Sequence, residues 1–465
     1  MQLGDVLQSF SLDVATSCVE ITSVDIDSRS CTAGALFFAM PGAHGHGAQF
    51  VDDAVNHGAV AVVSDTPVSA LVPVVVVPGD QLRALMAHAS SLVVGQPEKR
   101  MELIGVTGTN GKTSVTSLVS SLASALGWNG ASIGTLTNER TTPAPPELFR
   151  SLAELATHFD AQRARSVVAM EVSSHALDQR RVQGLSFSVT AFTNLSHDHL
   201  DYHHSMEEYF NAKAQLFTPE HAAHAVIWCD DSYGLRLADL TTVPVSRVHR
   251  SDAADVSESL QGTIFFWRGH LVNTPLIGDY NVDNALMAME IVRSLGAGED
   301  HIAHAMSDVR GVPGRFELVS GGEVTVIVDY AHTPAGLARL LSDVRRVSGD
   351  GRVITVFGCG GDRDRAKRPA MGEVASSASE ITIVTSDNPR SESPDAIIDS
   401  VIEGVKPGAT VFRMSDRRAA IAEAIRLAQP GDAVVIAGKG HETTQIIGDL
   451  VVPFDDREVA REFLK

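Results

Sequence analysis

The chain has 465 residues, a hydrophobic fraction of 44% and a formal net charge of -20, from 37 Lys plus Arg against 57 Asp plus Glu. That length allows roughly two to four domains, and the apolar content fills several ordinary cores, which excludes a disordered chain. So acidic a chain lacks the basic footprint of a general nucleic-acid binder, and anionic substrates would need locally concentrated positive charge.

Taken in chain order, residues 1–97 mix apolar runs at 35–40, 59–63 and 72–77 with Gly, Asp and His turns, and read as a small α/β domain. The stretch 96–100 is polar and reads as a linker. Residues 98–318 make a second domain. It opens on a short buried strand at 103–106, then a glycine-rich loop and a helical pattern over 114–126; strand runs follow at 166–170 and 188–192. Strands alternating with helices predict a parallel sheet covered on both faces. The third domain, 319–465, has strand runs at 324–328, 353–357, 381–384 and 433–436, with helical runs such as 395–405 and 417–428 between them. This pattern predicts a doubly wound, Rossmann-like sheet. The fold class expected is α/β in three domains, with a P-loop-like domain of mostly parallel sheet at the centre and a Rossmann-like domain at the C-terminal side.

Cys18, Cys31, Cys229 and Cys359 show no C-x-x-C spacing and read as ordinary reduced thiols. The opening residues 1–14 have no basic n-region and no long apolar core, so no signal peptide is expected. The most apolar stretch, 71–78, is broken by prolines and far short of the ~20 residues a membrane span needs. The expectation is a cytoplasmic protein without membrane insertion or a nucleic-acid partner.

The first chemical signal is Gly108-Thr109-Asn110-Gly111-Lys112-Thr113. The strict P-loop pattern asks for glycine where Val106 stands, and the glycine is instead Gly105. The physical requirements are still met. Gly108 and Gly111 let backbone N–H groups close on phosphate oxygens, and a helix N-terminus favours anions. Lys112 can reach the terminal phosphates of ATP, and the Thr113 hydroxyl can bind Mg²⁺.

Glu171 follows a strand run, at the strand end where open α/β sheets bind ligands, and a carboxylate there suits Mg²⁺. The segment 192–203, FTNLSHDHLDYH, crowds three histidines and two aspartates after another strand. Zinc is the weaker reading of that cluster, since its spacing fits no common site and no cysteine assists. Lys213 sits within an apolar stripe of Met206, Tyr209, Phe210, Leu216 and Phe217 at helical spacing. The residues alone leave two readings: a snorkelling side chain, which they favour, or a buried amine of lowered pKa able to add CO₂ and ligate Mg²⁺ as a carbamate.

In the third domain, three polar loops follow strand ends: residues 360–364, 386–390 and 438–442. Arg363, Arg390 and Glu442 among them suit a zwitterion, arginine for carboxylate and glutamate for ammonium.

Together these stretches resemble the Mur ligase family, and within it the MurE type. The resemblance rests on GVTGTNGKTS (105–114), MEVSSHALDQRRV (170–182), FTNLSHDHLDYH (192–203), YFNAKAQLF (209–217), GRFE (314–317), VDYAHTP (328–334), FGCGGDRDRAKRPAM (357–371), SDNPR (386–390) and AGKGHE (437–442). It departs at Ala335, where an acidic residue is common, and near Thr444, where a tyrosine is common. The resemblance implies an ATP-dependent ligase of peptidoglycan synthesis that works as a monomer. Its three domains would hold UDP-N-acetylmuramoyl-L-Ala-D-Glu (1–97), ATP (98–318) and the incoming amino acid (319–465).

It also implies roles by position. Gly108 to Thr113, Asn284, Arg315 and Asp329 would bind ATP; Thr113, Glu171, His199 and a carbamylated Lys213 would hold Mg²⁺; Lys112, Glu171, His199 and Lys213 would be catalytic. Ser28, Thr141, Thr142, Ser173, Gln179 and Arg181 would hold the UDP-peptide. Arg363, Asp387, Asn388, Pro389, Arg390, Gly438 and Glu442 would hold the amino acid. The D-N-P-R stretch resembles that of meso-diaminopimelate-adding enzymes, since Arg390 would reward a second carboxylate. A lysine-adding enzyme, a folylpolyglutamate-synthetase-like ligase and a nucleotide-binding regulatory protein are the alternatives.

Overall fold

The computed structural model describes residues 1–8, 10, 18–42, 45–138, 140–162 and 164–464. Contacts divide the chain into two compact units: Met1–Arg250 with Leu286–Ala305, and Ser251–Ala285 with Met306–Lys465.

The first unit holds two parallel sheets. The smaller is β1 (Ser23–Asp25), β2 (Ala35–Ala39), β3 (Ala59–Ser64) and β4 (Val74–Val76), side by side in chain order. The larger contains β5 (Glu102–Thr107), β6 (Asn129–Ile133), β7 (Ser166–Glu171), β8 (Val189–Phe192), β9 (Ala225–Trp228) and β10 (Val245–Val248), in the order β10-β9-β8-β5-β7-β6. All its pairs are parallel, and β5, β7 and β8 are almost wholly buried, as continuous apolar runs covered on both faces should be. Strand order reverses at β5, between β8 and β7. The loop leaving β5 therefore opens at a topological switch point, the place where such sheets bind ligands.

The second unit begins with an antiparallel sheet the sequence reading did not anticipate: β11 (Ala253–Ser259), β12 (Gly262–Trp267) and β13 (His270–Thr274). Its signal is a period of two, with Phe265 and Trp267 buried while Ile264 and Phe266 face solvent. The main sheet is β14 (Glu317–Gly321), β15 (Thr325–Asp329), β16 (Val353–Phe357), β17 (Ile381–Thr385), β18 (Thr410–Met414) and β19 (Ala433–Ala437), in the order β14-β15-β19-β16-β17-β18. It is parallel except for β14, an antiparallel lead-in strand. β15, β16, β17 and β19 are buried along their whole length. A hairpin, β20 (Thr444–Ile447) and β21 (Leu450–Pro453), follows β19 and was also not anticipated. The doubly wound α/β class read from the sequence is the observed one, with strand ends within about two residues of those expected.

Candidate active site

The loop after β5 leads into helix α1 (Lys112–Ala125), whose N-cap, Gly111, has φ +85°. At Gly108 the chain passes so close to the next strand that a Cβ would lie 1.9 Å from Thr193 Oγ1, which explains glycine there. The loop is tied across to the β8 end: Thr109 N donates to Asn194 O at 2.9 Å and Asn110 N to Asn194 Oδ1 at 3.0 Å. Lys112 Nζ folds back onto the carbonyls of Gly108 (2.9 Å) and Thr109 (2.8 Å).

Glu171, the last residue of β7, is buried at 2% exposure. Its Oε2 accepts from Thr113 Oγ1 at 3.0 Å and its Oε1 from Thr135 N at 2.8 Å. Lys213 lies on α2 (Met206–Ala214), a helix begun by Ser205, whose hydroxyl accepts from Glu208 N. Snorkelling is overturned: Lys213 is 1% exposed, and its Nζ donates to Gly108 O at 2.8 Å and lies 4.5 Å from the Tyr209 ring centre. Burial, and secondarily the Lys112 charge, lowers its pKa well below the ordinary lysine value.

Of the three histidines after β8, His199 and His203 both pack around His175 and Tyr209. His203 is buried against Tyr209 and shares a hydrogen bond with Ser174 Oγ at 2.9 Å, while His199 packs edge-on against His175, ring centres 5.1 Å apart. Among the described residues no group of three or more His, Cys, Asp or Glu side chains is arranged to hold a metal. The hard oxygens of Thr113 and Glu171 nonetheless fit Mg²⁺, which usually takes one or two protein ligands and completes its shell with water and phosphates.

Five of the six residues expected at the UDP-peptide form one network in this unit. Thr142 Oγ1 donates to Glu171 O at 2.9 Å and accepts from Ser173 N at 3.1 Å. Arg181 donates to Thr142 O at 2.7 Å and to Gln179 Oε1 at 2.7 Å, and Thr141 meets Thr135 through their hydroxyls at 3.3 Å. Ser28 stands outside this network; its chain neighbour Asp27 lines a cavity of about 190 Å³ with Asp25, Ser30, Arg140, Glu147 and Arg150. Burial, then the nearby Arg140 and Arg83, lowers the Arg181 pKa. Arg83, Arg140 and Arg181 are thus close enough to act on one another, a local cluster of positive charge on an acidic chain.

In the second unit, the loops after β16, β17 and β19 meet at the carboxyl edge of three adjacent strands. Asn388 Nδ2 donates to Glu442 Oε2 at 2.8 Å. Arg390 Nη1 donates to Gly361 O at 2.8 Å, and both Arg390 and Arg363 flank Gly360. Asp387 turns inward: it is buried, and burial raises its pKa. Burial would also raise Glu442, but Lys439 and then Asn388 more than offset it and hold the carboxyl below the usual range.

Two residues missed by the sequence reading hold this edge together. Lys439, wholly buried, donates to Asn388 Oδ1 (3.2 Å), Glu442 Oε2 (2.9 Å) and Thr444 O (2.7 Å). Arg417, heading helix α3 (Arg417–Leu427), is 1% exposed. It pairs with Asp456 of helix α4 (Asp456–Phe463) at 2.7 Å and donates to Ser386 O and Ala437 O.

The expected nucleotide contacts of this unit lie elsewhere in it. Arg315 stacks on Tyr330 at 4.3 Å, and His441 packs against the same ring, centres 5.2 Å apart. Asp329 is buried and accepts from Tyr280 Oη (3.0 Å), Phe316 N (2.7 Å) and Ala331 N (2.7 Å). Asn284 donates to Asn281 Oδ1 at 3.4 Å.

Comparison with known proteins agrees with this arrangement. The family model for the Mur ligase middle domain matches residues 106–292, that for the Mur ligase glutamate ligase domain 314–440, and that for the Mur ligase catalytic domain 20–92. The UDP-N-acetylmuramoyl-L-alanyl-D-glutamate–2,6-diaminopimelate ligase of Gloeobacter violaceus is 42% identical, over 100% of this chain and 98% of that one. The enzyme of the same name from Synechococcus elongatus is 43% identical, over 98% and 95%. A solved structure of a 2,6-diaminopimelate ligase superposes with a TM-score of 0.71 at 31% identity, covering 100% of this chain and 98% of that one. Folylpolyglutamate synthase of Mycobacterium tuberculosis shares the fold alone, with a TM-score of 0.57 at 20% identity over 76% of this chain and 91% of that one. Matched along its whole length by such relatives, the chain belongs to the Mur ligase family of ATP-dependent acid–amino-acid ligases.

Proposed function

We propose that this enzyme joins meso-diaminopimelate to the D-Glu side-chain carboxylate of UDP-N-acetylmuramoyl-L-Ala-D-Glu, through an acyl phosphate, with release of ADP and phosphate in peptidoglycan synthesis. The observation that carries the ligase chemistry is the convergence of Lys112, Thr113, Glu171 and Lys213 around one loop at a switch point. The full-length likeness to 2,6-diaminopimelate ligases, and Arg390 in the third domain, point to the amino acid. By role, the chain divides into residues 1–97 for the UDP-peptide, 98–318 for ATP and 319–465 for the amino acid.

In this reading Thr109 and Asn110 stay tied to Asn194 and fix the shape of the loop, the backbone at Gly108 and from Gly111 into the N-terminus of α1 faces the ATP phosphates, and Lys112 leaves its two carbonyl partners for the terminal phosphate. Thr113 and Glu171, with His199 and carbamylated Lys213, would hold Mg²⁺, which would supply charge neutralisation for the phosphoryl transfer. Thr141, Thr142, Ser173, Gln179 and Arg181, with Ser28, orient the UDP-peptide so that its free carboxylate meets the γ-phosphate. Arg363, Asn388, Arg390 and Glu442, on the frame of Asp387, Pro389 and Gly438, orient the amine that attacks the acyl phosphate. Asn284, Arg315 and Asp329 serve the nucleotide. The enzyme acts as a cytoplasmic monomer; among the described residues no helix is long and apolar enough to cross a membrane.

The test is sustained ADP release with each substrate omitted in turn, followed by a panel of diaminopimelate, lysine and ornithine. Full ADP release without the UDP-peptide or the amino acid would refute the ligase, and a preference for lysine would refute the assignment of the amino acid.

A further inference from the structure

Arg390 has φ +51°, a left-handed conformation uncommon for a residue with a side chain. Something outside the residue must therefore hold it. The hairpin β20–β21 grips it on both sides: Arg390 N donates to Ile446 O at 3.1 Å, and Gly448 N donates to Arg390 O at 2.8 Å. Two further bonds fix the register of the same loop. Gln445, 6% exposed, donates through Nε2 to Asp387 O at 2.7 Å, and Ile446 N donates to Asn388 Oδ1 at 3.0 Å.

The hairpin has little core of its own. Leu450 and Val451 are 67% and 63% exposed, and an isolated two-stranded hairpin is marginal in water. Its two-residue turn starts at Gly448, φ +59°, the first turn position that favours glycine. The hairpin is thus built chiefly around the loop it holds. An arginine fork recognises a carboxylate only when its plane is aimed, so a change in the Arg390 backbone misdirects the guanidinium.

We propose that the hairpin is the positioning element of Arg390, and that Gln445 and Gly448 thereby set the preference for an amino acid with a distal carboxylate over one without. This rests on the function proposed above. Gln445 and Gly448 touch no substrate in this scheme; they are positioning residues acting through Arg390.

The test compares kcat/KM for diaminopimelate and lysine, and KM for ATP, in the unaltered enzyme, Gln445→Leu, Gly448→Ala, Arg390→Lys and Gln445→Leu/Arg390→Lys, with circular dichroism to confirm folding. A Cβ on Gly448 meets nothing within 4 Å, so Gly448→Ala perturbs only the turn and decides the matter alone if Gln445→Leu does not fold. The expected result is a diaminopimelate-to-lysine ratio lowered about tenfold or more in both single variants, with KM for ATP unchanged. In the Arg390→Lys background, Gln445→Leu should lower the ratio no further, since coupled residues are not additive. An unchanged ratio in folded variants, an equal loss for both amino acids, or full additivity overturns the inference. No preference for diaminopimelate in the unaltered enzyme instead overturns the functional reading, and this inference with it.

Discussion

Lys213 Nζ donates to the carbonyl oxygen of Gly108 across 2.8 Å, so the buried amine of α2 lies against the first glycine of the phosphate loop. A lysine placed only for packing could be exchanged for methionine without loss of turnover. Lys213→Met should instead keep the fold and lower kcat by about a hundredfold or more, as removal of a group acting on transition-state charge does. Partial recovery of Lys213→Ala by added short carboxylates would identify the missing group as an anion. Full activity of Lys213→Ala would remove the residue from the site.

Glu171 accepts from both Thr113 and Thr135. Gln in its place keeps the shape but turns one acceptor into a donor and removes the charge. Glu171→Gln should raise the Mg²⁺ concentration needed for half-maximal activity about tenfold or more, as loss of a ligand or its supporting partner does in metal sites. An unchanged Mg²⁺ titration would show that the carboxylate only braces the loop.

Arg417 and Asp456 are both fully buried as side chains. Arg417→Met leaves an unpaired buried carboxylate and should cost about 3–5 kcal/mol in denaturant unfolding, whereas Arg417→Met with Asp456→Leu should recover much of it. Equal losses in the single and double variants would mean that the bonds to Ser386 O and Ala437 O, not the ion pair, carry the stability.

His441 is held neutral: burial, and then the Arg315 charge, lowers its pKa to about 4. Its Nδ1 is buried with no hydrogen-bond partner among the described residues. The unfolded chain takes up a proton near the ordinary histidine value while the folded one refuses it. Stability from this residue is therefore present above pH ~6.5 and lost as the pH falls to ~4. The loss should be at most about 3 kcal/mol, nearer 2 after solvent screening of a half-buried ring. His441→Asn should flatten that part of the unfolding profile between pH 4 and 6.5; an identical slope in the variant would assign the acid sensitivity elsewhere.

The core strands were legible because strands buried on both faces are continuous apolar runs bounded by turns, as at β16 and β19. The hairpin β20–β21 was not, because its apolar residues face solvent and its reason for existing is the loop beside it; the Gly448-Asp449 turn between apolar neighbours was the available signal. Helical periodicity put Lys213 on an apolar stripe but could not reveal an acceptor lying 105 residues earlier in the chain. Lys439 shows the converse. In a glycine-flanked loop it suggests a ligand contact, yet its charge is spent on Asn388, Glu442 and Thr444 inside the protein.

The Arg417–Asp456 pair also bears on how the enzyme comes into being. Asp456 comes long after the phosphate loop in the chain, yet its partner braces the loops expected to select the amino acid. On a ribosome adding residues from the N-terminal side, the phosphate loop can form while that brace is still unmade. A nascent or proteolytically clipped chain that lacks α4 would then keep the phosphate loop but leave Arg417, and the loops it ties through Ser386 O and Ala437 O, without their buried counter-charge.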